Sequence, residues 1–158
     1  MINRVISLED ANCCDELLTL LIQDEKKYDN SIDDKFTVKD YFKNVIKDDS
    51  NILLSYKVDD KIVGYTYLKP IKANDLNGYL IDGIYVIEEY RGKKIGTKLL
   101  KEAIEISKKN NAKFIDINVL NENKEAKKLY EKLGFFEFKI NMKKIYEKYI
   151  FLFHKFIK

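Results

Sequence analysis

The 158 residues include one proline, two cysteines, one histidine and no tryptophan, and the six glycines are widely spaced. Each shortage excludes a class of protein. Cys13 and Cys14 are adjacent and have no further cysteine to pair with, which rules out a disulfide framework. With His154 as the sole histidine, lying in an apolar segment, no zinc-ligand set exists and no metal is expected. Proline and glycine are too sparse for a linker or a low-complexity tract, and no repeat is visible, so one domain over residues 1–158 is expected. No apolar run reaches the roughly 18 residues of a membrane span, and the opening Met-Ile-Asn-Arg-Val-Ile-Ser has no signal-peptide core. A soluble, cytoplasmic chain without membrane partners is the expectation. At 46% apolar and 13% aromatic residues, it can bury a core without covalent staples.

Charge of one sign is also scarce where it matters. Residues 1–90 carry a net charge of −7 and residues 91–158 a net charge of +10, although the whole chain carries only +3. Two readings stand: two oppositely charged binding surfaces, or a polarity along the sequence that folding mixes again. The lysines of the second half alternate with glutamates, as in Lys-Glu-Ala-Lys-Lys, a pattern of solvated helix faces that argues against a nucleic-acid partner.

Periodicity assigns the elements. A short strand at residues 2–6 precedes a helix opened by Ser7 and Asp10, with Leu8, Ala11, Cys14, Leu17, Leu18 and Leu21 at helical spacing. Thr37 and Asp40 repeat the opening before Val38, Tyr41, Phe42, Val45 and Ile46. The alternating segments 52–58 and 62–68, split by Asp59-Asp60, predict a hairpin that Pro70 and the polar stretch through Asn77-Gly78 should stop. A strand over 79–86, a helix after Gly96, a strand over 114–119 and a helix capped by Asn121 and ended by Gly134 follow. The tail from Phe135 to Phe156 reads as two more strands. Its last segment, from Tyr149, is apolar on both faces, which points to the sheet interior or to a homodimer contact.

The richest segment is 81–100, where an apolar strand runs through Glu88, Glu89 and Tyr90 into Arg91-Gly92-Lys93-Lys94-Ile95-Gly96 and on into an amphipathic helix. Unpartnered N–H groups of a first helical turn attract an anion, glycines allow close approach, and Arg91, Lys93 and Lys94 add charge. The spacing is neither that of a Walker loop nor that of a dinucleotide fingerprint.

This segment resembles motif A of the GNAT-type N-acetyltransferases, Gln or Arg, two residues, Gly, one residue, Gly or Ala, with Lys94 where the first signature glycine belongs. Asn123-Lys-Glu-Ala-Lys-Lys-Leu-Tyr130-Glu-Lys-Leu-Gly134-Phe135 is similar to the family's motif B, in the right order downstream. The resemblance implies an α/β fold whose mixed, mostly antiparallel central sheet is flanked by about four helices and splayed around an acetyl-CoA site. It implies transfer of the acetyl group of acetyl-CoA directly to a primary amine. On that footing, the backbone of Lys93, Lys94, Ile95, Gly96 and Thr97, with Arg91 and Gly92, would grip the pyrophosphate, and Ile84, Tyr85 and Val86 would bond the pantetheine arm through their main chain. Gly83 would mark a bulge that splays the strand.

A primary ammonium of lysine-like pKa, about 10.4, has to lose a proton before it attacks. Asp82 stands where polyamine-acetylating relatives carry a carboxylate; ordinary aspartate is a weak base for that task, so burial or a water relay has to help. Asp82 could instead solvate a strand end, and Glu88 and Glu89 are rivals. Tyr130 stands where relatives place the tyrosine that protonates the departing thiolate, with a core role as the alternative. Asn123 would bond the pantetheine or pyrophosphate, or cap its helix. The acidic loop with Asp24, Glu25, Asp29, Asp33 and Asp34 is either a solvated loop or a pocket wall that favours a polyamine, an aminoglycoside-like amine or a lysine side chain over a neutral amino acid; Tyr28, Tyr41, Tyr65 and Tyr67 either add aromatic walls or belong to the core, and a small cationic amine is expected ahead of a protein. A protein lysine or N-terminal acetyltransferase, and a non-catalytic acyl-CoA sensor, are the alternatives.

Overall fold

Two tight turns built from left-handed residues organise the sheet. In the computed structural model, which describes residues 1–29, 31–142 and 144, β2 (Ile52–Val58) and β3 (Lys61–Ala73) are joined by Asp59 and Asp60 at φ 47° and 61°. Two consecutive positive-φ residues give the turn twist that paired strands require. Asn74 and Asp75, at φ 48° and 63°, repeat the device between β3 and β4 (Leu76–Val86).

The second turn corrects the sequence reading. Pro70 does not stop the hairpin; it lies inside β3 opposite Tyr79, and Asn77 and Gly78 are paired residues of β4. Pairing between β2 and β3 ends with Ile52 opposite Leu68. Beyond Leu68, β3 is therefore an edge strand on that side, where a residue without an N–H is tolerated. β1 (Ile2–Arg4) lies antiparallel beside β2, and β5 (Phe114–Ile117) lies parallel to β4, in the order β1-β2-β3-β4-β5. The sheet is mixed and mostly antiparallel, as the resemblance implied.

Ile62 to Leu68 are buried without a break because β3 is covered on both faces. Tyr65 and Tyr67 join the cluster that α1 (Leu8–Glu25) supplies with Ala11, Cys14 and Leu17. On the other face, Gly64 abuts Ile95 of α3 (Ile95–Lys109), whose Leu99, Leu100 and Ala103 are fully buried. Phe42 of α2 (Tyr41–Val45) stands edge-on to Tyr65 and Tyr67, with ring centres 5.4 and 5.6 Å apart. Such pairs add to the burial each ring already contributes.

The helix starts vary in how their free N–H groups are satisfied. At α1 the Ser7 hydroxyl accepts from the Asp10 N–H at 3.1 Å, as the spacing predicts, although Leu8 is exposed rather than in the core. At α2 the anticipated Thr37–Asp40 box does not form. The helix begins at Tyr41, and Asp40, left-handed at φ 57°, makes no side-chain cap. Instead the Phe42 N–H donates to Asp15 Oδ1 at 3.0 Å, a carboxylate of α1 that is 4% exposed.

The chain divides into two compact units, Met1–Glu122 and Asn123–Lys158. The second carries α4 (Lys124–Lys132), capped by Asn123 rather than by Asn121: its side-chain oxygen accepts from the Ala126 N–H at 3.2 Å. Gly134, at φ 90°, ends the helix as anticipated. The Gly134 N–H bonds the Glu131 carbonyl and the Phe135 N–H the Tyr130 carbonyl, the paired closure of a Schellman motif. Residues 135–142 take no regular secondary structure, so the anticipated strands are absent there. The apolar segment from Tyr149 to Phe156, with His154, lies outside the described residues. Among those described, no helix is long and apolar enough to cross a membrane.

Replacing Asp59 and Asp60 with Asn and Gly, residues suited to this turn, should stabilise the protein by about 1 kcal/mol, read as a higher urea midpoint at unchanged slope.

Candidate active site

β4 is paired with β3 along its whole length but with β5 only over Gly78 to Ile81. From Asp82 to Val86 its second edge has no strand beside it among the described residues. At the same place the β3–β4 register slips. Tyr67 pairs with Gly83 and Leu68 with Ile81, which leaves Asp82 as the extra residue of a bulge. A bulge bends the strand and re-aims the side chain it carries. The Asp82 carboxylate is accordingly exposed, within 3.4 Å of the Tyr41 hydroxyl, which donates to it. Of the two routes open to a weak base, burial is absent and a relay water remains.

Gly83 sits next to the bulge for a steric reason. A Cβ there would lie 2.7 Å from the hydroxyl of Tyr65, whose ring passes directly beneath the strand. Among the described residues that hydroxyl is buried without a hydrogen-bond partner, and burial pushes its pKa up, so it stays a phenol.

After β4 the chain makes one short turn of helix at Glu88–Tyr90 and enters the basic segment. Gly92 takes φ +75°, and a Cβ built on it meets nothing within 4 Å. Lys94 occupies the place of the missing signature glycine with φ 61° and ψ 18°, a left-handed conformation in which glycine would be unstrained. It is the N-cap of α3 and gives no side-chain cap. The first intrahelical bond there runs from the Lys98 N–H to the Lys94 carbonyl. The N–H groups of Ile95, Gly96 and Thr97 thus form the uncapped turn at which helices hold anions. Lys93 and Lys94 are exposed beside it, Lys93 with its ammonium 4.5 Å from the Tyr90 ring centre. An uncapped turn, open space over Gly92 and a strand edge lacking a partner suit a long phosphorylated thioester such as acetyl-CoA.

Arg91 is differently engaged. Its Nη2 donates to Asp24 at 2.6 Å, its Nε donates to the Val86 carbonyl at 2.9 Å, and its guanidinium lies 5.1 Å from the Tyr85 ring centre. Burial, then the Asp24 charge, raises the Tyr85 phenol. Arg91 therefore ties the end of α1 to the end of β4.

The other loop acids are similarly occupied. Asp34 pairs with Lys26; Asp29 accepts from Ser31 and Asp33 from the Lys35 N–H in local turns. Glu25 is raised, first by burial and then by the Asp29 charge. Of the anticipated aromatic walls, Tyr65 is buried and Tyr67 donates to Asn51 at 2.8 Å, while Tyr41 remains beside Asp82.

In the second unit, the Schellman closure fixes Tyr130. Its ring meets that of Phe135 edge-on at 6.1 Å, the apolar contact that accompanies this motif. Asn123 is held by its capping bond, the alternative weighed for it from the sequence. No group of three or more His, Cys, Asp or Glu residues suited to a metal occurs among the described residues.

The profile of the Acetyltransferase (GNAT) family matches residues 15–135, and the chain belongs to that family. It is 33% identical over 102 residues to an uncharacterized N-acetyltransferase of Methanocaldococcus jannaschii, covering 61% of this chain and 44% of that one. Over 58 residues it is 43% identical to the thialysine N-epsilon-acetyltransferase of Mus musculus, covering 37% of this chain and 34% of that one. The chain thus spans less than half the length of either relative. A Bacillus halodurans protein of solved structure superposes with a TM-score of 0.81 at 20% identity, over 92% of this chain and 99% of that one, and shares the fold.

Lys94→Gly should relieve the left-handed strain against a small rise in unfolded-state entropy, a net gain of about 0.5–1 kcal/mol. Thermal unfolding with and without coenzyme A measures the gain and tests whether binding survives.

Proposed function

We propose that the chain is an acetyl-CoA-dependent N-acetyltransferase acting on a small cationic primary amine, such as a polyamine or an aminoglycoside. The observation that carries the reading is the continuity of three features along one stretch of chain. A bulge exposes Asp82, an open strand edge follows from Asp82 to Val86, and an uncapped basic helix turn comes next at Ile95–Thr97. Membership of a family that uses acetyl-CoA supports it. So does the likeness to the mouse thialysine N-epsilon-acetyltransferase.

Acetyl-CoA, when bound, supplies an activated acetyl thioester. The main chain of Ile84, Tyr85 and Val86 would hold its pantetheine arm as an added strand, leaving their side chains to the core. The N–H groups of Lys93 to Thr97, the open backbone at Gly92 and the lysine charges would hold the pyrophosphate. Arg91 holds the strand end before this turn through Asp24 and the Val86 carbonyl. Asp82 would take the ammonium proton through water, the freed nitrogen lone pair would attack the thioester carbon, and the second N–H proton would pass to water as the amide forms. The family resemblance assigns to Tyr130 the protonation of the sulfur as the carbon–sulfur bond breaks. Phenol and thiol are close enough in pKa, about 10 and 8.5, for that donation to proceed within the transition state.

The acceptor is cationic on this reading because Asp82 is exposed beside an aromatic edge, rather than because of the loop acids, most of which are tied to neighbours. A thiol-release assay with acetyl-CoA against polyamines, aminoglycosides, free amino acids and peptides tests the assignment. Turnover confined to peptides would transfer it to the protein acetyltransferases. Coenzyme A binding without turnover on any amine would make the chain an acyl-CoA sensor.

Tyr130→Phe should lower kcat by about 10²-fold while calorimetric coenzyme A affinity stays within error. An equal loss of affinity would assign Tyr130 to binding or packing.

A further inference from the structure

Asp82 has a problem that its bulge creates. The extra residue of a bulge has no cross-strand partner, and Asp82 is exposed, so nothing in β3 or β4 fixes its carboxylate. A side chain that must meet an amine in one geometry needs an external support.

We propose that Tyr41 positions Asp82 for the acceptor amine, and that Asp15 places Tyr41 by capping α2 from the neighbouring helix. This rests on the reading of Asp82 as the proton acceptor. The Tyr41 hydroxyl donates to Asp82 Oδ2 at 3.4 Å. That is long for such a bond, and contacts of this kind tighten when substrate binds. The Tyr41 ring is confined edge-on by Phe42 at 5.0 Å and Tyr67 at 6.3 Å. Burial first, then the Asp82 charge, raises the phenol, so Tyr41 remains a donor at neutral pH.

The five residues of α2 are too few to hold a helix by themselves, and Asp40 does not cap it. One turn of α1 does the holding. Asp15 Oδ1 accepts the Phe42 N–H at 3.0 Å, and the Thr19 hydroxyl accepts the Val38 N–H at 2.9 Å while donating to the Asp15 carbonyl at 3.0 Å. Because Asp15 is 4% exposed, its bond lies in a low dielectric, where it is strong and costly to lose. The second oxygen, Oδ2, is buried with no hydrogen-bond partner among the described residues. A path of adjacent contacts thus runs from the interior of α1 through α2 to the carboxylate of β4.

Two measurements test this, one of them independent of any acceptor. Tyrosine Cζ labelling, with the Tyr41 signal assigned by Tyr41→Phe, follows the phenol by NMR as pH rises. The titrating groups that face it are Asp82 from β4, Asp15 from α1, and Tyr65 and Tyr67 from β3. Asp82→Asn removes a negative charge that disfavours phenolate, so the Tyr41 midpoint should move to lower pH. An unmoved midpoint would overturn the contact.

The second is a kinetic cycle with acetyl-CoA and the amine turned over fastest in the panel. Tyr41→Phe should lower kcat about tenfold with KM for acetyl-CoA unchanged, and should cost nothing further in an Asp82→Asn background. Asp15→Ala should reproduce the loss, and Asp15→Asn, which keeps an oxygen for the Phe42 N–H, should restore most of it. Losses from Tyr41 and Asp82 that multiply, or a silent Tyr41→Phe beside an inactive Asp82→Asn, would reject the positioning role alone. An active Asp82→Asn would reject the reading of Asp82 and this proposal with it.

Discussion

Among the described residues, β4 has a strand on both sides only from Gly78 to Ile81 and a strand on one side beyond. Strand N–H and C=O groups are obligatory hydrogen-bonding groups, and leaving them without partners away from water is costly. β5 satisfies one edge only as far as Ile81, and the register slip at Asp82 bends β4 at the point where that pairing ends. The same irregularity therefore produces an open edge, an exposed carboxylate and a close approach of Tyr65 to Gly83. The proposed chemistry uses the first two. A regular strand would have paired its edge and sent Asp82 to a face set by alternation.

Electrostatics follow the fold more than the sequence. The first half of the chain is acidic and the second basic, but the contact that links them most directly, Asp24 with Arg91, is structural in its geometry. It joins the last turn of α1 to the strand end and leaves Lys93 and Lys94 as the outward charges at the turn. An exposed pair of this kind contributes little stability, on the order of 1 kcal/mol or less. Its value lies in orientation, because Arg91 also bonds the Val86 carbonyl and stacks on Tyr85.

Much of this was legible beforehand. Ser7, Gly134, the Asp59-Asp60 turn and the strand-turn-helix at 81–100 all declare themselves locally, since caps and tight turns depend on residues within a few positions. What escaped depends on distant neighbours. Pro70 looked like a stop because its tolerance comes from where β2 ends, and Thr37–Asp40 looked like a capping box because its replacement, Asp15, lies on another helix. A signal for Asp15 existed: it is a carboxylate one position from Cys14 on the buried face of α1, a place where charge needs a reason. Arg91 was expected to meet the cofactor, and nothing local shows that Asp24, 67 residues away in sequence, holds its guanidinium.

On the proposed reading, the open edge of β4 and the uncapped turn of α3 form one binding surface for coenzyme A. Amide NMR during a coenzyme A titration reads it directly. The account requires the largest perturbations at Ile84, Tyr85 and Val86 and at Lys93 to Thr97 together, saturating at one concentration. Perturbation of the turn without the strand, or of neither while binding is evident by calorimetry, would contradict it.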